Sequence, residues 1–503
     1  MKPGTKYINL LLAFLLAACV ARFWLVPLST SFWVDEMVTA FVVHYGPSHP
    51  SLSVAPQVTE TIYYALPQAA ERLFGFSEIA YRVPSVICMA ISLFLISRLA
   101  ARLIHPNAGW FVAFACLSLR GFNYEAADAR PYGLGTAVFA ASLLFLIRWM
   151  DKDRWLDGLL FAGLGSVVWR VHLIYWPFYA IFVAYGLWRL AARQTPVSWV
   201  RAGVIFALIG LALIPVALHA LALDREALAH VIVPLPKLRD LRNSYHFNLV
   251  LICGWGAWLL GSLLRWPRDK SAWRSAPALL LSLGWWLWHP LALFVYSWLT
   301  RNSVFVPRYL SLELPGTALA AALAAAAFVP AHAWKPLAAV FGAGVLLYVG
   351  NWKTPHPRHD NSNWKDAARR IESLHLPPET PIIFPSVFIE AKPPVWKPDY
   401  PLPGFLYCHL LVYPIGGKPY LFPFERSAEA DVYAAELAAH TLPAAGRFLI
   451  YGGDRNVWTW QRWFANRPEL AGWRSSRLGP FGDVEVAIFE NIDTNFALAS
   501  THH

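Results

Sequence analysis

Two adjacent acids, Asp35 and Glu36, stand just beyond the first apolar stretch of the chain, in Phe32-Trp33-Val34-Asp35-Glu36. At a membrane surface a carboxylate can stay ionised and still reach an apolar cavity, where it could accept a proton or steady positive charge. Neighbours on a helix point about 100° apart, so the two acids cannot share one role. The same pair would equally suit the start of a helix, where the dipole favours acids. Arginines supply the complementary chemistry, because a guanidinium can meet a phosphate with two parallel hydrogen bonds. Candidates are Arg82, Arg130, Arg242, Arg301 and Arg308, and any one of them could instead anchor a lipid headgroup. Arg130 and Arg308 stand out because each lies beside a proline and a tyrosine, in Arg130-Pro131-Tyr132 and Pro307-Arg308-Tyr309, where an apolar run begins. Glu60, Tyr63 and Asp128 add polar groups nearby in sequence. Glu313 lies inside an apolar run, where an acid usually faces a cavity or a partner. His172 and His289 border or enter such runs. A lone histidine is more often satisfied by a neighbour than catalytic, so Glu313 and His172 are read as supporting groups.

These residues must be positioned by a membrane protein. Of the 503 residues, 57% are hydrophobic and 15% charged, against roughly a quarter charged in soluble domains. The 25 Trp, 31 Phe and 20 Tyr fit aromatic belts at two interfaces. Apolar runs recur at about 7–28, 83–104, 108–121, 131–149, 156–170, 173–190, 199–221, 247–264, 276–298, 307–329 and 337–350, which predicts about eleven spanning helices. Alternate short connections carry Lys2 and Lys6, Arg98 and Arg102, Arg148, Lys152 and Arg154, Arg189 and Arg193, Arg265 to Arg274, and Lys335. By the positive-inside rule that side, with the N-terminus, is cytoplasmic. The opposite side receives the long loop 29–82, the connections near 121–130, 171–172, 222–246 and 299–306, and the C-terminus. The acids Asp35, Glu36, Glu60, Glu71, Glu78, Glu125, Asp128, Asp224, Glu226 and Asp240 gather there.

The net charge of +11 comes from basic residues scattered through loops, without a stripe, so membrane lipids rather than nucleic acid account for it. The five cysteines show neither zinc-ligand nor disulfide-framework spacing. Leu16-Ala17-Ala18-Cys19 is like a lipoprotein cleavage box, but the apolar run continues to Leu28, which favours an uncleaved span. Beyond Asn351 the chain becomes polar and alternates between short elements. Helices are predicted at Trp364–Leu374, Ala428–His440 and Val457–Ala465, and strands at Pro381–Pro385, Phe448–Gly452 and Asp483–Glu490. The expected architecture is an all-α polytopic membrane domain over residues 1–350, with a small α/β extracytoplasmic domain over 351–503.

The order of the outer-side motifs resembles the polyprenol-phosphate-sugar glycosyltransferases of the GT-C fold, the superfamily of protein O-mannosyltransferases and lipid A aminoarabinose transferases. The likeness covers roughly residues 5–350. It rests on the Asp35-Glu36 pair, on Arg82-Val83-Pro84-Ser85 opening the second run, on Glu125-Ala126 followed by Arg130-Pro131-Tyr132, and on Arg308-Tyr309-Leu310. Such proteins have a long first outer loop, and many have an outer C-terminal domain. Two features depart from the pattern. Thr59-Glu60-Thr61 stands where relatives carry His-Pro-Pro or Glu-Lys-Pro, and residues separate Glu125 from Arg130 where relatives read Glu-Ala-Arg-Pro-Tyr.

The resemblance implies a bacterial inner-membrane enzyme that moves a sugar from a polyprenyl-phosphate carrier to a lipid, glycan or protein acceptor. It implies Asp35 as the essential acid, with Glu36 beside it, and Glu60, Tyr63, Arg82, Asp128, Arg130, Tyr132, His172, Arg308, Tyr309 and Glu313 around the substrates. No cofactor is called for, although a divalent metal could assist. The alternative is a transporter or flippase of lipid-linked sugars. Transporters tend to show internal repeats and charges near the bilayer midplane; this sequence has no evident repeat, and its charges gather at one face. The orientation is testable with impermeant thiol reagents on spheroplasts. A cysteine at Glu60, and native Cys408, should react, and cysteines at Lys152 or Lys270 should not. Labelling at Lys270 from outside would reverse the topology.

Overall fold

The computed structural model describes residues 3–58, 61–227 and 233–492. Glu60 therefore lies outside the described residues. The chain is a multi-pass membrane protein in which each predicted apolar run is helical. Among the described residues, seven helices are long and apolar enough to cross a bilayer, and an eighth candidate is the pair Leu238–Ser244 and Phe247–Leu263, bent by 48°. The runs near 108–121, 156–170 and 337–350 form the shorter helices Gly109–Ser118, Trp155–Val171 and Trp334–Val349. Among the described residues the count of eleven full-length spans is thus not confirmed. The apolar composition was read correctly, but the helices Gly109–Ser118 and Arg120–Ala126 break at Leu119, whose backbone is extended.

The chain divides into two compact units. Residues 1–28 and 61–357 form the first, and residues 29–60 with 358–503 form the second. The opening half of the first outer loop therefore packs with the C-terminal segment, a partition different from a single cut at residue 350. In the first unit, Gly316 allows helix Leu314–Ala326 to touch Ala276–Thr300: a Cβ there would lie 2.4 Å from the Trp286 nitrogen. Arg22 is buried near the end of the first span and donates to the carbonyls of Gly350, Asn351, Thr354 and Pro355, fixing the segment after helix Trp334–Val349.

The second unit holds a five-stranded sheet of β1 (Pro381–Pro385), β2 (Lys418–Phe422), β3 (Arg447–Gly453), β4 (Trp473–Phe481) and β5 (Val484–Asn491) in the order β2-β1-β3-β5-β4. The β1 strand runs parallel to β2 and β3, and β5 is antiparallel to β3 and β4. The predicted strands correspond to β1, β3 and β5, which are largely buried, and the predicted helices to Trp364–Glu372, Ala428–Glu436 and Asp454–Ala465. The two strands not foreseen, β2 and β4, are the sheet edges. The β4 strand is mostly exposed, with Arg474–Arg477 polar, and β2 opens on exposed Lys418 and Pro419 before the buried Leu421 and Phe422, so neither shows a sustained apolar alternation.

Helix Val34–Tyr45, which carries Asp35 and Glu36, belongs to this unit. The Tyr413 hydroxyl accepts from the Phe32 amide at 2.8 Å, and Lys365 Nζ donates to the Ser29 carbonyl at 3.2 Å. Cys408 is only 2% exposed, which corrects the expectation that its native thiol is open to reagents. Its neighbour His409 is fully buried among Trp364, Phe384, Tyr407 and Tyr451, and neither ring nitrogen has a hydrogen-bond partner. Burial pushes the His409 imidazole down to about 3. A folded-state pKa below the unfolded value contributes stability that is present above about pH 6.5 and is lost as pH falls toward the folded value. Lowering the pH should therefore reduce the unfolding temperature of this unit. The His409 contribution is at most about 1.4 kcal/mol per pH unit. In His409→Leu the acid decline measured by thermal denaturation should be shallower; an unchanged slope would assign the loss elsewhere.

Candidate functional site

In the first unit the tight connection 127–131 between helices Arg120–Ala126 and Tyr132–Lys152 carries Asp128 and Arg130. A second segment, Pro307–Glu313, is a 3-10 helix leading into Leu314–Ala326. With three residues per turn, side chains three apart eclipse, so Arg308 and Ser311 share one side and Glu313 takes another. Two side chains from helix Ala276–Thr300 fasten the carbonyls of this segment: Trp285 Nε1 donates to Leu312 at 2.7 Å, and His289 Nε2 lies 3.0 Å from the Tyr309 oxygen. Long 3-10 runs are uncommon, and this one has outside support.

The two segments meet around Glu125. Its carboxyl is within electrostatic reach of Asp128, Arg308 and Arg130, and within hydrogen-bond reach of Ser311. Glu125 and Asp128 are buried, at 4% and 1% exposure, whereas Arg130 and Arg308 are half-buried. Burial first, and then the Asp128 charge, hold the Glu125 carboxyl well above the usual carboxylate range, against the opposing pull of the Ser311 hydrogen bond and the arginines. The aromatic floor is built by His172, whose ring stacks on Tyr132 with centroids 5.6 Å apart and meets Tyr309 edge-on at 5.2 Å. Burial, then the charges of Arg130 and Arg308, push the His172 imidazole down to about 3. The Arg308 guanidinium lies 5.4 Å from the Tyr309 ring centroid. Tyr63 reaches the same place through Ser85: its hydroxyl is 3.3 Å from Ser85 Oγ, which donates to the Arg130 carbonyl at 3.4 Å.

The structure thus brings together Tyr63, Asp128, Arg130, Tyr132, His172, Arg308 and Tyr309. Arg82 is placed differently. It is fully buried and donates through Nη1 to the carbonyls of Pro27 and Leu28, so it ties down the end of the first span instead of being on display to a lipid phosphate. Glu313 is fully buried and has partners of its own: Oε2 accepts from Thr317 at 2.7 Å, and Oε1 lies 3.3 Å from His246 Nδ1 at the bend of the broken helix pair. Sequence reasoning missed Ser311 and His246. The first carries no chemical signal in the sequence, and the second is marked only by its place before an apolar run.

In the second unit Asp35 and Glu36 occupy the first turn of helix Val34–Tyr45. Glu36 is fully buried and accepts from the Trp33 amide at 3.3 Å, which is a helix-capping contact, while Asp35 is half-buried. The helix-start role thus falls to Glu36. A Glu36 carboxylate oxygen and a His359 ring nitrogen of this unit lie within 4.8 Å of each other.

Comparison with known proteins bears on the fold. The crystal structure of ArnT from Cupriavidus metallidurans in the apo state matches with a TM-score of 0.56 at 14% identity, covering 98% of this chain and 99% of that one. The fold is GT-C. The structure of the same protein bound to undecaprenyl phosphate matches with a TM-score of 0.53 at 12% identity, covering 96% and 98%. Residues 62–219 match the family model of dolichyl-phosphate-mannose-protein mannosyltransferase. No curated protein matches the sequence. The matched stretch contains Tyr63, Arg82, Asp128, Arg130, Tyr132 and His172, and stops before Arg308.

The Arg130 and Arg308 pair is directly testable. Arg308→Lys keeps the charge and removes the planar fork, so affinity for a polyprenyl phosphate should fall while the fold persists. Arg308→Ala should cost more, on the order of 1.5–3 kcal/mol for a charge-assisted hydrogen bond. Binding of polyprenyl phosphate as tight in Arg308→Ala as in the parent would make Arg308 a headgroup anchor.

Proposed function

We propose that this chain is a glycosyltransferase that takes a sugar from a polyprenyl-phosphate carrier and gives it to an acceptor on the outer side of a bacterial inner membrane. The observation that carries the reading is the meeting of Arg130 and Arg308 with two buried acids, Glu125 and Asp128, within a GT-C fold. Half-buried arginines beside aromatic rings suit a phosphodiester held at the edge of the hydrocarbon. One of the fold relatives is described as bound to undecaprenyl phosphate, which supports a polyprenyl-phosphate carrier as the donor here. The acceptor class, whether lipid, glycan or protein, and the choice of hexose or pentose stay open within this reading.

In the reaction an acceptor hydroxyl forms a bond to the anomeric carbon. The bond from that carbon to the phosphate oxygen breaks, and polyprenyl phosphate leaves with the electron pair. Arg130 and Arg308 take up the charge on the leaving group. Asp35 is assigned the acceptor's proton, since it is the half-buried member of the pair and Glu36 is engaged in capping.

Asp35→Asn preserves size but cannot accept a proton at neutral pH. Single-turnover transfer should fall roughly 10²–10⁴-fold with donor binding nearly intact. Glu36→Gln should act mainly on stability, through the cap. Full transfer by Asp35→Asn would remove Asp35 from the mechanism. Absence of transfer by the parent protein, tested with a polyprenyl-phosphate sugar and a range of acceptors, would sink the enzymatic reading itself.

A further inference from the structure

Glu125 has no part in the chemistry above, yet it is the acid set among the arginines. It is 4% exposed, and one of its carboxyl oxygens, Oε2, has no hydrogen-bond partner. The groups that act on it are Asp128 and Arg130 from the connection that follows, and Arg308 and Ser311 from the 3-10 segment. Tyr132 and Tyr175 are also within electrostatic reach. Ser311 is the informative neighbour. Its hydroxyl donates to the Arg308 carbonyl at 2.8 Å and is also within hydrogen-bond reach of Glu125. Toward Glu125 it favours the ionised carboxyl, so it works with the arginines against the burial that keeps the proton on.

We propose that Glu125 is a charge-setting residue of the donor site: with its proton on, it leaves Arg130 and Arg308 a positive balance for the donor's phosphodiester, and on losing the proton it diminishes that balance. The charge count is short. The net charge around the two guanidiniums is one unit more positive while Glu125 is neutral than once it ionises. A phosphodiester brings one negative charge, so it binds better to the protonated form. By linkage, its binding must in turn favour proton uptake. Ser311 couples the two functions mechanically, since the same hydroxyl holds the Arg308 carbonyl and faces Glu125. The direction already given for the Glu125 carboxyl is consistent with this role and does not by itself establish it.

The inference rests on the proposed donor, but it can be tested apart from catalysis. The probe is a short-chain polyprenyl methyl phosphodiester, which has no proton of its own to titrate, bound to the full-length protein in detergent and followed by calorimetry from about pH 5 to about pH 9. For the parent, Kd should rise with pH, by up to about tenfold per unit where Glu125 ionises, with proton uptake on binding over that same range and none below it. Glu125→Gln mimics the neutral carboxyl, so its binding should stay tight and lose the pH dependence. A general acid at this position would instead leave binding unaltered and lower only the rate of transfer.

Weak binding by Glu125→Gln, or a pH dependence that it shares with the parent, would overturn the proposal. Ser311→Ala guards against a folding artefact. It removes a hydrogen bond that favours the ionised carboxyl, so the rise in Kd should begin at higher pH; an unshifted profile would also count against the proposal. A parent that binds the probe with the expected pH profile but transfers no sugar would refute the glycosyltransferase reading and leave this one standing.

Discussion

Charge at the edge of a bilayer is costly unless it is compensated, and the site built around Glu125 answers that constraint. Two buried acids and two half-buried arginines come from connections at the ends of spans, where a side chain can leave the hydrocarbon while its backbone stays hydrogen-bonded. The 3-10 segment Pro307–Glu313 is the most unusual piece of backbone involved. Its eclipsed side chains put Arg308 and Ser311 on one side, and Trp285 and His289 secure its carbonyls from the neighbouring helix. Without that support the poorer 3-10 geometry would relax to an α-helix, and Arg308 and Ser311 would no longer be aligned.

The other charged groups within the first unit read as framework. Arg22 and Arg82 are buried and spend donors on backbone carbonyls, converting charge into fixed geometry at the end of the first span. Glu313 has its own partners in Thr317 and His246, at the bend before Phe247–Leu263. Residue type alone does not separate an anchoring arginine from one that meets a ligand. Exposure and hydrogen-bond partners do: Arg82 is closed in, whereas Arg130 and Arg308 keep part of their surface open.

The same logic separates the two acids after the first span. Their adjacency set them about 100° apart on the helix, and the helix start decided which was which. Glu36 turned back to the Trp33 amide, and Asp35 was left half-buried. In the C-terminal unit, His409 shows a different way to bury a titratable group. It is enclosed by aromatic rings and kept neutral, at the expense of stability in acid.

What the sequence determined by itself was whatever is carried by apolar periodicity and by local chemistry. The spanning runs, the buried strands β1, β3 and β5, and the helices between them were legible because burial selects residue type locally. Arg130, Tyr132, Arg308 and Tyr309 were found because a proline and a tyrosine beside an arginine make a local signal. Only the tertiary structure decided that residues 29–60 pack with 358–503, that Gly109–Ser118 ends short at Leu119, and that the edge strands β2 and β4 exist. It also decided the partners of Glu125 and Glu313, because Ser311 lies 186 positions from Glu125 and His246 lies 67 from Glu313. Pairings over such separations are set by packing and leave no trace in the local sequence. That is why the acids and arginines could be named in advance while the sharing of charge among them could not.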